Sequence, residues 1–115
     1  GLAFKPETDD MREAPSIKII ADLVEAGAII RAYDPAATEA ARLLVSGVEY
    51  CENEYETTRG SDALVVVTEW NQFRSLDLSR LKRGMREPNN IDLRNVYEPE
   101  MVRSAGFRYV GMGRT

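Results

Sequence analysis

Residues 63–67, Ala63-Leu64-Val65-Val66-Val67, are the longest unbroken apolar run in the chain. Five residues are too few for a core helix and β-branched valine dominates, so the run reads as a strand. A strand with one face in water alternates polar and apolar positions, and this one does not. It therefore requires cover on both faces, which implies a parallel sheet with helices on either side. The run is expected to be the innermost strand.

The flanking pattern agrees. Ile17, Ile20, Ala21 and Val24 recur at helical spacing behind Pro15, whose fixed φ suits a first helical turn, and Gly27 ends the helix. Residues 29–33 read as a strand. Asp34-Pro35 reads as a cap with proline at the first helical position, opening a helix over 36–45. Residues 47–51 return as a short strand and 53–59 as a surface helix anchored by Tyr55. Residues 71–76 form a helical turn, and Asp77 caps a helix that carries Leu78 and Leu81 inward. Residues 84–90 read as loop, 91–93 as strand, 99–105 as helix and 107–111 as the last strand. Such alternation predicts one α/β domain over residues 1–115 with a doubly wound, mainly parallel sheet and helices on both faces, a Rossmann-like arrangement.

Composition narrows the chemistry by exclusion. Net charge is −4, which gives no general attraction to nucleic acid or anionic lipid, so an anionic ligand must be held by local cations. No run approaches the ~20 apolar residues of a membrane-crossing helix, and a cytoplasmic location is expected. With one cysteine and no histidine, the usual zinc spacings and any Ser-His or Cys-His pair are excluded. No catalytic residue and no metal ligand emerges. Cys51 reads as a small buried apolar residue.

In doubly wound sheets ligands bind beyond the carboxyl ends of the strands. The residues to inspect are therefore Phe4-Lys5, Tyr33-Asp34, Thr68-Glu69-Trp70 and Leu93-Arg94. Lys5 and Arg94 come to one edge from opposite ends of the chain, and a compact ammonium with a planar guanidinium fork suits a diphosphate. Pairing of each with a neighbouring carboxylate, Arg94 with Asp92 for example, is equally compatible with the residues alone. Trp70 reads as a core plug with its N–H satisfied. Asp34 reads as a helix cap, because no G-x-G-x-x-G precedes it to support a ribose-binding role.

Three stretches in order carry a family resemblance: Gly1-Leu2-Ala3-Phe4-Lys5-Pro6-Glu7-Thr8-Asp9-Asp10-Met11-Arg12-Glu13-Ala14-Pro15-Ser16, then Thr68-Glu69-Trp70-Asn71-Gln72-Phe73, then Asp92-Leu93-Arg94-Asn95-Val96-Tyr97 followed by Gly106-Phe107-Arg108-Tyr109-Val110-Gly111. Together they resemble the C-terminal, UDP-binding domain of the UDP-glucose/GDP-mannose dehydrogenase family. The resemblance implies that Phe4, Lys5 and Arg94 contact a UDP-sugar and that Arg12 approaches NAD held mainly by an N-terminal dinucleotide-binding domain of the same protein. It implies an oxidation of UDP-glucose to UDP-glucuronate whose nucleophilic cysteine lies in that preceding part, so this chain is expected to turn nothing over alone. It further implies a homodimeric parent protein, with the residues before Gly1 completing a first strand. Two alternatives stand beside this reading: a dehydrogenase of another nucleotide sugar, such as UDP-N-acetylmannosamine or GDP-mannose, and a non-enzymatic nucleotide-binding regulatory module.

Overall fold

The computed structural model describes residues 1–113, and its elements alternate as the pattern requires. They run α1 (Pro15–Glu25), β1 (Ile30–Ala32), α2 (Thr38–Leu44), β2 (Val48–Tyr50), α3 (Glu54–Thr58), β3 (Leu64–Val66), a 3-10 turn (Asn71–Ser75), α4 (Leu78–Gly84), β4 (Asn89–Asp92), α5 (Pro99–Ser104) and β5 (Arg108–Gly111). Every strand pair is parallel. The fold is α/β and Rossmann-like, and no helix among the described residues is long and apolar enough to cross a membrane.

Local signals placed the helices well. Pro15 opens α1, Asn53 caps α3 by accepting from Glu56 N at 2.8 Å, and Asp77 caps α4 by accepting from Arg80 N at 3.0 Å. Gly27 ends the α1 turn at φ 96°, a conformation that strains any other residue. Leu81 is fully buried and Cys51 nearly so.

The sheet departs from expectation in three ways. Strands β1 and β2 form one pair, while β3, β4 and β5 form a second sheet in that order. The innermost strand is therefore β4, not the 63–67 run; β3 pairs only with β4, and β1 and β3 line a common groove of about 700 Å³. The run's apolar character reflects burial of Val66 and Val67 rather than a central position. Residues 1–4 form no strand, because the N–H groups of Leu2 and Ala3 are taken by the Asp34 carboxylate and not by a neighbouring backbone. Finally, β4 begins at Asn89, inside the segment read as loop.

Two helices also differ. Ile20 of α1 is buried, whereas Ala21 and Val24 are exposed, so the buried stripe is narrower than the spacing suggests. Helix α2 starts at Thr38 rather than residue 36, since Asp34 Oδ1 holds the Ala36 and Ala37 N–H groups in a turn ahead of it, each at 2.8 Å.

Two apolar cores result. One gathers Val66, Trp70, Phe73, Leu81, Val96, Tyr97, Val102, Phe107 and Tyr109; the other gathers Leu2, Ala3, Met11, Ala14, Ile20, Ala32, Ala37, Ala41 and Val45. Asp34 ties them together. Its Oδ2 accepts from Leu2 N (2.7 Å) and Ala3 N (3.0 Å) of the second core and from Trp70 Nε1 (3.2 Å) of the first.

Burial pushes the Asp34 carboxyl up, but the N–H groups of Ala3, Leu2, Ala36 and Ala37 outweigh it and hold the pKa below the ordinary carboxylate range. Asp34→Asn turns part of this acceptor into a donor facing donors, and should cost roughly 3 kcal/mol in urea unfolding. Because the folded carboxyl ionises at lower pH than the unfolded one, whose value is about 3.9, the unfolded state binds more protons between the two. The Asp34 contribution is then full above about pH 4 and lost as pH falls through the folded value. Asp34→Asn should flatten that acid limb of the stability profile.

Candidate functional site

The amino-terminal segment is strapped across the carboxyl ends of β1 and β3. Asp34, two residues past β1, holds Leu2 and Ala3 as described. Thr68, two residues past β3 and fully buried, donates its hydroxyl to Ala3 O at 2.8 Å, and Ser16 Oγ donates to Leu2 O at 2.6 Å. Gly1 lies so close to Thr68 that a Cβ there would come within 2.5 Å of the Thr68 Cβ. The motif's leading glycine is thus a packing requirement. Beyond Ala3 the chain emerges: Phe4 is 42% exposed, Lys5 is exposed, and Phe4 N bonds back to Asp10 O at 2.8 Å to close the loop.

Arg94 reaches the same edge from the other end of the chain. After β4, Asp92 buries its carboxylate, accepting from Val96 N (3.0 Å), Tyr97 N (2.9 Å) and the Tyr109 hydroxyl (2.9 Å), with Arg94 N at 3.3 Å. Asn95 takes a left-handed φ of 52°, which asparagine tolerates, and donates to Met112 O at 3.0 Å. This tight turn projects Arg94 toward β3 and the amino-terminal strap. Its Nε donates to Val67 O at 3.0 Å and its Nη2 to Phe4 O at 3.4 Å.

Of the four residues singled out from sequence, the structure brings Arg94 onto Phe4 O, with Lys5 exposed at the next position in the chain. Arg94 does not pair with the Asp92 carboxylate through its guanidinium; its ionic partner is Glu69, with Nη1 to Oε2 at 3.5 Å. Lys5 makes no ion pair among the described residues. Arg12 stands apart on the 5–14 loop with its side chain 90% exposed. Its fork grips Asp10 through Nε (3.1 Å) and Nη2 (2.9 Å). That hydrogen-bonded pairing holds the Asp10 carboxyl down to about 2.

Sequence reasoning recognised Trp70 as a plug, and it is buried with its indole N–H on Asp34. It missed the wider role of Asp34, which looked like a helix cap because only its local partners, Ala36 and Ala37, can be read from spacing. It also missed Thr68 as the support of the strap and Glu69 as the ionic partner of Arg94. An aspartate directly after one strand and a threonine directly after another were the available signals.

Parallel strands alternating with helices, with Arg94 fixed to two backbone carbonyls just past β4, define a Rossmann-like α/β domain. Residues 1–99 match the UDP-glucose/GDP-mannose dehydrogenase family, UDP binding domain. The chain belongs to that family. It is 48% identical over 114 residues to a UDP-glucose 6-dehydrogenase of Rhizobium meliloti (strain 1021) and 42% identical over 120 residues to one of Pseudomonas aeruginosa PAO1, each match covering 99% of this chain and 26% of the relative. Among solved structures it resembles an NDP-N-acetyl-D-galactosaminuronic acid dehydrogenase from Methanosarcina mazei Go1 (TM-score 0.85, 34% identity, 99% of this chain, 23% of that one). A UDP-D-ManNAc dehydrogenase from Pyrococcus horikoshii also matches (TM-score 0.80, 30% identity, 99% and 24%). The chain spans about a quarter of the length of the curated relatives it matches.

Thr68→Val keeps the volume and removes the hydroxyl from Ala3 O. It should lower stability by about 1 kcal/mol, and hydrogen exchange should quicken selectively at Leu2 and Ala3, since the strap is held mainly by side chains.

Proposed function

We propose that this domain holds the diphosphate of a UDP-sugar at the edge formed by Phe4, Lys5 and Arg94, within a longer NAD-dependent dehydrogenase that oxidises UDP-glucose to UDP-glucuronate. The observation that carries the reading is the double backbone anchorage of Arg94 on Val67 O and Phe4 O, which fixes the guanidinium against the residue that precedes Lys5. A cation held before the ligand arrives loses little side-chain entropy on binding. Lys5, exposed and without an ion pair among the described residues, adds a compact second charge. Phe4 contributes its exposed ring and a backbone carbonyl that steers Arg94.

The redox chemistry would be supplied by NAD. For that cofactor this chain offers Arg12, whose exposed position suits contact with a second domain and whose surface ion pair with Asp10 is weak enough to yield. The chain has no histidine, and its one cysteine, Cys51, is buried just past β2 with its N–H on Ala32 O. The domain's contribution is positioning: a fixed diphosphate orients the sugar toward groups carried by another part of the protein. UDP-glucose is favoured by the names of the relatives at 48% and 42% identity. The solved structures named for N-acetylated sugars, at 34% and 30%, support a second reading in which the nucleotide is the same and the sugar differs.

In the full-length protein, Lys5→Ala and Arg94→Ala should each weaken UDP binding by ~1.5–3 kcal/mol, or roughly ten- to two-hundred-fold, in calorimetric titration, with NAD⁺ affinity little changed. Arg12→Ala should show the opposite bias. Unchanged UDP affinity in both the Lys5 and Arg94 variants, with folding verified by circular dichroism, would rule the site out. The 115-residue chain alone should produce no NADH from UDP-glucose and NAD⁺ above a protein-free control.

A further inference from the structure

Glu69 is the one acidic side chain that touches the guanidinium of Arg94 among the described residues, and the contact is unusual in its slackness. At 3.5 Å it is well beyond the 2.7–2.9 Å of a charge-assisted hydrogen bond, whereas Nε of the same guanidinium sits at 3.0 Å from Val67 O. Glu69 makes no other hydrogen bond or ion pair among the described residues. Its backbone, in contrast, is pinned on both sides: Thr68 is tied to Ala3 O and Trp70 is buried against Asp34. The backbone is therefore fixed, and the carboxylate is carried on a side chain that is 31% exposed and held by the Arg94 contact alone among the described residues.

The two backbone carbonyls orient Arg94 from behind, so Glu69 is not needed to aim it. It meets Nη1, on the edge that a phosphate would use, and a carboxylate there repels an incoming anion as well as competing for the donor. We propose that Glu69 is an internal counter-ion that occupies Arg94 until a diphosphate displaces it, setting the affinity of the site below what its cations alone would give. The inference rests on the diphosphate reading of the Phe4, Lys5 and Arg94 edge. Its physical logic is release: a binding step that exchanges one weak anion for another keeps the nucleotide from being held too firmly to leave.

The test is calorimetric titration of the full-length protein with UDP and with inorganic pyrophosphate, for Glu69→Gln, Arg94→Ala and the double variant, in dilute and in concentrated salt. Glutamine keeps the size of the side chain and an acceptor for Nη1 while removing the charge. Glu69→Gln should bind both ligands roughly three- to tenfold more tightly in dilute salt, with the gain shrinking as screening rises and vanishing in the Arg94→Ala background. Equal or weaker binding by Glu69→Gln, while Arg94→Ala does weaken UDP binding, would overturn the counter-ion role and leave the diphosphate site standing. An equal gain with Arg94 absent would also overturn it, because the carboxylate would then act on another cation. If Arg94→Ala leaves UDP affinity unchanged, the diphosphate reading fails first, and the counter-ion role with it.

Discussion

The carboxylate of Asp34 is the interaction on which the arrangement depends. A buried charge is expensive unless its lone pairs are filled, and here they are filled by N–H groups from the amino-terminal strap, from the turn before α2 and from the Trp70 indole. Those donors come from three parts of the chain that no backbone ladder joins. Without such an acceptor the Leu2 and Ala3 N–H groups would have no hydrogen-bond partner, and the two apolar cores would meet without a polar tie. Asp34 therefore does for residues 1–3 what a neighbouring strand does elsewhere in the sheet.

A second buried aspartate repeats the device on the other side of the site. Asp92 closes the turn after β4 with Val96, Tyr97 and Tyr109, and Arg94 is thrown outward as a consequence. The two loops that carry the candidate ligand contacts are thus each organised by a fully satisfied carboxylate below the surface. The exposed side chains above them make few contacts of their own: among the described residues Lys5 forms no ion pair and Arg94 pairs only loosely with Glu69. Rigid support with a lightly occupied rim is the property expected of a binding edge.

Much of the fold was legible because its signals are local. The Asp77 cap, the glycine stop at Gly27 and the proline at the head of α1 act within a few residues, and each lies where the pattern put it. The misplaced strands turn on neighbours distant in sequence, whereas the late start of α2 is set locally by Asp34. The 63–67 run looked innermost because apolar runs are usually covered on all sides, yet β4, with the polar residues Asn89, Asn90 and Asp92, holds that position. Asp92 can be buried there because it finds donors in the following turn, whereas the side-chain amide of Asn90 is buried with no hydrogen-bond partner among the described residues. Composition does not reveal those donors.

What the sequence by itself determined was the alternation of strands and helices, the family resemblance, and the presence of Phe4, Lys5 and Arg94 just past strand-like segments. Periodicity, capping and turn chemistry are set over a handful of residues, so they survive without knowledge of packing. Only the tertiary structure decided which groups meet: that Arg94 rests on the carbonyl of a residue ninety positions away, that Glu69 rather than Asp92 is its ionic partner, and that Asp34 is a hub and not the cap of α2. A hydrogen bond between segments exists only once the chain has folded, since the desolvation that makes it necessary and the proximity that makes it possible both come from burial.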